Sequence, residues 1–308
     1  MDENYLLLAG GVGAAKFIEG LANIVNQEKI NVIINTGDDI ELFGLQICPD
    51  IDIVTYTLAN IVDKQKGWGF REDTFNCLEI LDNYYNIKWF NLGDKDLATH
   101  IYRTDLFNRG YSKAEITKKI CKKLGVKANL IPMCNEQVKT YIEIKEGSIH
   151  FEEFYIKYKC KPAIQGVEFK GISKAKPVEG IFNLIKSARK IIICPSNPIV
   201  SIGTILSIPG IKDALADVKD KIYGISPIIR GEAIKGPADK LLQYYNLEVS
   251  CVGVAKYYKS ILGHFIIDRR DNKLKSKIEN LGIKTHSYDT LMINLEKKKN
   301  LARFVIEL

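Results

Sequence analysis

The apolar run Tyr5–Ala9 passes directly into Gly10-Gly11-Val12-Gly13-Ala14-Ala15-Lys16, and a helical pattern starts within that turn. A strand, a glycine turn and a helix start in this order form the opening βα unit of a dinucleotide-type α/β fold. Glycines let the main chain approach a phosphate closely. The free N–H groups of the helix start, together with its dipole, stabilise the negative charge. Gly10, Gly11 and Gly13 are therefore candidate phosphate contacts. Lys16 adds a cation where G-x-G-x-x-G would place its third glycine. The turn is not a P-loop, because Lys16 lacks both the preceding glycine and the following serine or threonine.

The rest of the chain continues the alternation. A helix over Ala14–Val25, a strand over Asn31–Asn35, further helices and a strand over Lys88–Leu92 predict a parallel sheet with helical crossovers. Ser112 and Glu115 have capping-box spacing and open a helix whose Ile116, Ile120 and Leu124 share a face, with Gly125 placed to end it. From Val138 to Tyr158 the pattern becomes alternating, with a turn at Glu146-Gly147-Ser148 and a second extended run over Ile149–Ile156. A helix over Pro177–Arg189 leads into a strand at Lys190–Cys194, and a further βα step follows at Lys221–Ile225 with a helix from about Pro237. The expected architecture is one α/β domain over residues 1–308, a Rossmann-like, mostly parallel sheet flanked by helices. A helical and β-hairpin subdomain is inserted at about 105–175.

Composition bounds the function. With 46% hydrophobic and 26% charged residues, the chain has a globular balance. Its net charge of +7 comes from lysines scattered along helices, which predicts a solvated surface and no nucleic-acid partner, while helping to collect small anions. The seven cysteines form no C-x-x-C pair, so neither a disulfide framework nor a zinc knuckle is expected. Tyr5–Ala9 is too short for a signal peptide and no apolar run reaches membrane-span length, so no membrane is expected and the cytoplasm is the expected compartment.

Carboxylates gather after the second strand. Asp38 and Asp39 stand at its end, with Glu41, Asp50 and Asp52 just beyond. A ribose needs one acid there, and the surplus points to a hard cation such as Mg2+. The competing structural role for Asp50 or Asp52 is to cap a helix over Ile53–Val62. Farther on, Leu92-Gly93-Asp94-Lys95-Asp96-Leu97-Ala98-Thr99-His100 opens a helix on which Asp96, Thr99, His100 and Arg103 share a face. No serine or cysteine nucleophile with a matching triad accompanies His100, which is read as a positioning residue. Ser196, Asn197 and Ser201 follow the strand Lys190–Cys194, and Ser226–Gly231 and Lys235–Ala238 follow the next strand. Small polar residues, glycines and cations at successive strand ends predict an extended pocket for an anion and a base.

In order, AGGVGAAK, NTGDD, CPDID, GWGFREDTF, LGDKDLATH, CPSNPIVSIG, GISPIIRG, KGPA and YDTLM resemble the 2-phospho-L-lactate transferase family of coenzyme F420 biosynthesis. The resemblance runs from Leu6 to about Leu308, and its specificity rests on LGDKDLATH and PSNPIVSIG. It implies transfer of a phospholactyl group from lactyl-diphospho-guanosine to the ribityl hydroxyl of the deazaflavin Fo, with GMP leaving and Mg2+ assisting. It implies that the guanosine diphosphate lies along Gly10–Gly13 and Ser196-Asn197, and that Asp52 and Asn91 meet the deazaflavin. Asp39 and Asp50 become candidates for the metal or for orienting the hydroxyl, Trp68 for stacking on the ring, and Trp89 for core packing. The family is similar in forming homodimers. Two departures stand out: Val12 replaces a frequent threonine, and Asn91 a frequent lysine. Two rival readings are a non-catalytic nucleotide-sugar-binding regulator, expected to lack LGDKDLATH, and an NAD-dependent oxidoreductase, suggested by the glycine turn alone.

Overall fold

The structure is a computed structural model that describes residues 4–87 and 89–308. In chain order the strands are β1 (Tyr5–Ala9), β2 (Ile30–Ile34), β3 (Ile40–Leu42), β4 (Leu45–Ile47), β5 (Asn129–Pro132), β6 (Lys139–Ile144) and β7 (Gly147–His150). They continue as β8 (Gly166–Lys170), β9 (Lys190–Ile193), β10 (Ile222–Ile225), β11 (Ile228–Ile229), β12 (Glu232–Ala233), β13 (His264–Asp268) and β14 (Lys284–Tyr288). Seven of them form one sheet in the order β14-β13-β10-β9-β1-β2-β5, with parallel pairing throughout. Every residue of β1 and β2 is buried, as expected for a parallel sheet covered on both faces. The two-residue period of β1 divides the core. Leu6 and Leu8 face Ile181, Ile185 and Ile205 on one side. Tyr5, Leu7 and Ala9 face the other, against Phe17, Ile18 and Leu21 of helix α1 (Gly11–Ala22) and Leu301 of the C-terminal helix Leu295–Glu307.

The strand order determines where a ligand can sit. From β1 the chain lays β2 and β5 to one side and β9, β10, β13 and β14 to the other. Connections therefore diverge between the carboxyl ends of β1 and β9, which leaves a crevice at that switch point. The parallel α/β sheet read from the sequence is the one found. Residues 105–175 contribute β5 to the central sheet and β6, β7 and β8 to a separate antiparallel sheet in the order β7-β6-β8. Helices α2 (Pro49–Leu58), α3 (Asn76–Tyr85), α4 (Asp94–Asn108) and α5 (Lys113–Lys123) lie between β4 and β5, and α5 has the expected Ser112–Glu115 capping box. Among the described residues no helix is long and apolar enough to cross a membrane, and all seven cysteines are free.

Three local expectations are corrected. The strand read over Lys88–Leu92 does not form: Lys88 lies outside the described residues, and Trp89–Leu92 is irregular chain. Its Phe90 and Leu92 pack with Ile40, Ile47 and Leu97 beneath the β3–β4 hairpin, and the place beside β2 is taken by β5. The helix expected over Ile53–Val62 begins earlier, at Pro49, whose fixed φ suits the first helical position. The extended run expected over Ile149–Ile156 is strand only to His150, then coils through a wide turn over Glu153–Lys157. Phe151 and Phe154, three residues apart, both enter the core cluster containing Ile142, Ile144 and Ile199, which an extended chain would not allow.

Candidate active site

The glycine turn and the loop after β9 close on each other. Gly10 N–H donates to Ser196 Oγ (3.3 Å), and Gly11 N–H donates to Asp50 Oδ1 (2.7 Å). Asn35 Nδ2, at the end of β2, donates to Asp50 Oδ2 (2.9 Å). Gly11 has φ +70°, a conformation glycine adopts without cost. A Cβ on Gly10 would lie 2.7 Å from Asp50 Oδ2 and 2.7 Å from Ser201 Cβ, and one on Gly13 would collide with the Pro195 carbonyl oxygen. Asp50 and Asp52 both lie in the first turn of α2, whose N-cap is Cys48 with no side-chain cap bond. Asp50 thus ties the glycine turn to β2, and the helix-cap reading is set aside.

A cavity of 210 Å³ opens at this switch point, lined by Gly10, Gly11, Gly13, Lys16, Ser196, Asn197 and Ser201. All the phosphate-binding candidates of the sequence therefore meet in one place. Asn197 Oδ1 accepts from Ile199 N–H (3.0 Å) and Val200 N–H (3.3 Å), capping a wide helical turn over Pro198–Gly203. Its Nδ2 has no partner among the described residues and remains a free donor. Lys16 and Lys235 bring two ammonium groups to the cavity. Partial burial lowers the pKa of each, and the charge of Lys16 lowers that of Lys235 further. A bound anion would relieve both effects.

Beside it lies a cavity of 450 Å³ lined by Asp52, Trp68 and Asn91, the acceptor candidates, with Tyr56, Asp96 and His100 at its base. Trp68 is half-buried on the edge of the α1 core cluster, whereas Trp89 packs edge-on against Phe90 away from the cavity. Arg103 donates to both oxygens of Asp52, at 3.0 Å to Oδ2 and in a closer contact to Oδ1. Burial raises the Asp52 carboxyl, and the charges of Arg103 and His100 oppose that rise. Tyr56 OH donates to Asp96 Oδ1 (2.6 Å), and His100 Nε2 lies 3.3 Å from the same oxygen.

The LGDKD segment divides its acids between two tasks. Asp94 accepts from Thr74 Oγ1 (2.6 Å) and from the amides of Asn76 (3.1 Å) and Cys77 (2.9 Å), capping α3. Asp73 in turn accepts from the amides of Lys95 (2.8 Å) and Asp96 (3.2 Å), capping α4. The Thr74 hydroxyl and these amides hold the Asp94 carboxyl down at about 2. Asp94 is a fastener, and Asp96 reaches the cavity.

The tandem acids also separate. Asp39 forms an ion pair with Lys113 (2.6 Å) in a small pocket that includes Cys48 and Arg103, and it does not line the glycine-turn cavity. Asp38 instead lines the glycine-turn cavity, with Oδ1 buried and without a partner among the described residues. Burial raises its carboxyl well above the usual range, and the charges of Asp50 and Glu152 add to the rise. Burial likewise raises Asp50 to about 6, and raises Glu152 to about 8 with the charge of Asp50 contributing. Glu152 was not singled out from sequence, because the run around it read as a strand. Its adjacent acid pair Glu152-Glu153 within an otherwise apolar stretch was the available signal.

The unpartnered Asp38 Oδ1, beside the like charges of Asp50 and Glu152, is a position that suits a hard divalent cation. Among the described residues no three His, Cys, Asp or Glu groups are arranged to hold a metal unaided.

The model of the 2-phospho-L-lactate transferase CofD family matches residues 6–305. A 2-phospho-L-lactate transferase of Methanosarcina mazei is 38% identical over 98% of this chain and 99% of its own. A phosphoenolpyruvate transferase of Streptomyces griseus is 37% identical over 98% and 97%. A crystal structure of a UPF0052-family protein from Bacillus halodurans is similar in fold, with a TM-score of 0.64 at 16% identity over 99% of both chains.

Proposed function

Because the chain belongs to the 2-phospho-L-lactate transferase (CofD) family, we propose that it transfers a phospho-three-carbon-acid group from a guanosine-diphosphate-linked donor to the deazaflavin Fo, releasing GMP. The observation that carries the reading is the wall common to both cavities, built from Gly11, Val12, Asp50, Glu152, Tyr155 and Lys235. A donor whose diphosphate lies on the glycine turn presents its outer phosphorus at that wall, where an alcohol from the wider cavity can reach it. The ribityl hydroxyl oxygen forms the new P–O bond, the P–O bond to GMP breaks, and the hydroxyl proton passes to a carboxylate of the shared wall. No cysteine lines either cavity among the described residues, in keeping with direct in-line transfer rather than a thiol intermediate.

In this reading catalysis consists of positioning and charge neutralisation. Gly10, Gly11 and Gly13 let the diphosphate approach the main chain closely, with the Gly10 and Gly11 amides already donated to Ser196 and Asp50 and with Ser196, Asn197 and Ser201 opposite. Lys16 and Lys235 offset its charge. Asp50 and Asp38 would hold Mg2+, which supplies further neutralisation of the diphosphate when bound. Asp52 and Asn91 meet the deazaflavin, with Trp68 along its ring. By the same resemblance the working unit is a homodimer, which sedimentation of the purified chain would check.

The test is incubation with Fo, Mg2+ and, in separate reactions, the lactyl, enolpyruvyl and glyceryl donors. GMP and a phosphodiester-linked deazaflavin should appear with at least one of them. GDP binding without product from any donor would instead support a nucleotide-binding regulator.

A further inference from the structure

Arg103 lies in a buried network with Asp52 and His100 beneath the wider cavity. We propose that Arg103 is a positioning residue that fixes the Asp52 carboxylate in the orientation in which it accepts a hydroxyl of the acceptor substrate. The inference rests on the transferase reading above. Arg103 is 4% exposed and Asp52 5%, so water does not orient either group. One guanidinium nitrogen donates to Asp52 Oδ2 (3.0 Å) and to Gln46 O (3.3 Å), and the other donates to Asp52 Oδ1. Two parallel bonds fix the plane of a carboxylate, which one ammonium group cannot do.

The same Arg103 nitrogen lies 3.0 Å from His100 Nδ1. His100 Nε2 lies 3.3 Å from Asp96 Oδ1, so the imidazole stands between the guanidinium and the second carboxylate. His100 and Arg103 stand one turn apart on α4, and the Asp73 cap fixes the start of that helix. Asp52 and Asp96 both line the cavity, and two carboxylates suit an acceptor presenting several hydroxyls.

The test compares the intact chain with Arg103→Lys, Asp52→Asn and the double variant, titrating Fo and GDP separately and recording kcat and KM for Fo. Arg103→Lys should weaken Fo binding about tenfold or more while GDP affinity stays within about twofold, since a single ammonium keeps the charge but loses the planar fork. The double variant should bind Fo no more than about twofold worse than Asp52→Asn, because both changes break one unit. Equal loss of Fo and GDP affinity, unchanged Fo affinity, or additive losses in the double variant would each overturn the proposal. Asp52→Glu keeps the charge and displaces the carboxylate, so it tests the same geometry if Arg103→Lys does not fold. It should weaken Fo by a similar factor, and unchanged binding overturns the proposal. A parent chain that binds GDP but neither binds nor converts Fo would overturn the transferase reading and this inference together, whereas an active parent with an indifferent Arg103→Lys overturns this inference alone.

Discussion

Gly11 N–H donates to Asp50 Oδ1 at 2.7 Å, so the first turn of α1 faces a carboxylate carried by α2. The other oxygen accepts from Asn35 Nδ2, and Asn35 Oδ1 in turn accepts from Gly37 N–H (2.9 Å). Asp50→Asn would oppose one amide nitrogen to another unless Asn35 gave up Gly37. We expect a stability loss of about 1–3 kcal/mol and transfer slowed about 100-fold or more. Thermal unfolding and single-turnover GMP release would check both, and unchanged turnover would remove Asp50 from the mechanism.

Asp39→Asn should behave differently. It leaves the buried Lys113 ammonium without its carboxylate, a loss of about 3 kcal/mol, yet the residue does not line the glycine-turn cavity. Molecules that remain folded should keep turnover within about fivefold of the parent. Chelation of divalent ions should abolish transfer in both, with Mg2+ restoring it. Transfer that persists in excess chelator would eliminate the metal.

Glu152 predicts a pH dependence of stability. Burial and the nearby Asp50 charge raise its carboxyl from 4.5 to about 8, so the folded chain binds more protons than the unfolded chain in that window. Its contribution is complete below pH 4.5 and is lost as pH rises through about 8. Asp50, raised to about 6, loses its own share in the lower part of that window. Glu152→Gln cannot ionise, so it should gain stability relative to the parent between pH 5 and pH 8, by about 2 kcal/mol. Urea midpoints at the two pH values measure the gain, and parallel curves would contradict it.

Two glycines of one motif should fail for different reasons. At Gly13 a methyl would strike the Pro195 carbonyl and push the β1 and β9 loops apart, so Gly13→Ala should destabilise by about 3 kcal/mol. At Gly10 the methyl meets the Asp50 and Ser201 side chains, which can shift, so Gly10→Ala should lower donor affinity more than stability. Comparing GDP titrations with melting curves separates the two, and identical profiles would count against this division.

Elements with a strong local period were legible in the sequence: β1 with its glycine turn, the capped α5, the β6–β7 hairpin and β9 with its polar loop. The residues of the glycine turn and of the loop after β9 line one cavity, and Asp52, Trp68 and Asn91 line the second. What escaped was decided by tertiary packing. Phe90 and Leu92 had the apolar character of a strand but served a small cluster under a hairpin, and a four-residue stretch at Asn129 took the sheet edge. Which of Asp38 and Asp39 faces the cavity depended on where Lys113 would lie, 74 residues from Asp39. Glu152 was hidden because a turn of chain, rather than a strand, carries it to the cavities.

The exchange of caps between Asp73 and Asp94 works as a joint. Each acid secures the start of the helix that the other's segment precedes, so neither α3 nor α4 can slide along its axis without releasing its partner. His100 and Arg103 inherit their registration from that joint, although neither capping acid lines the two cavities among the described residues. Loosening it would therefore blur the acceptor's placement with every ligand-contacting side chain still present, a defect to be seen in the rate of the chemical step before any loss of donor affinity.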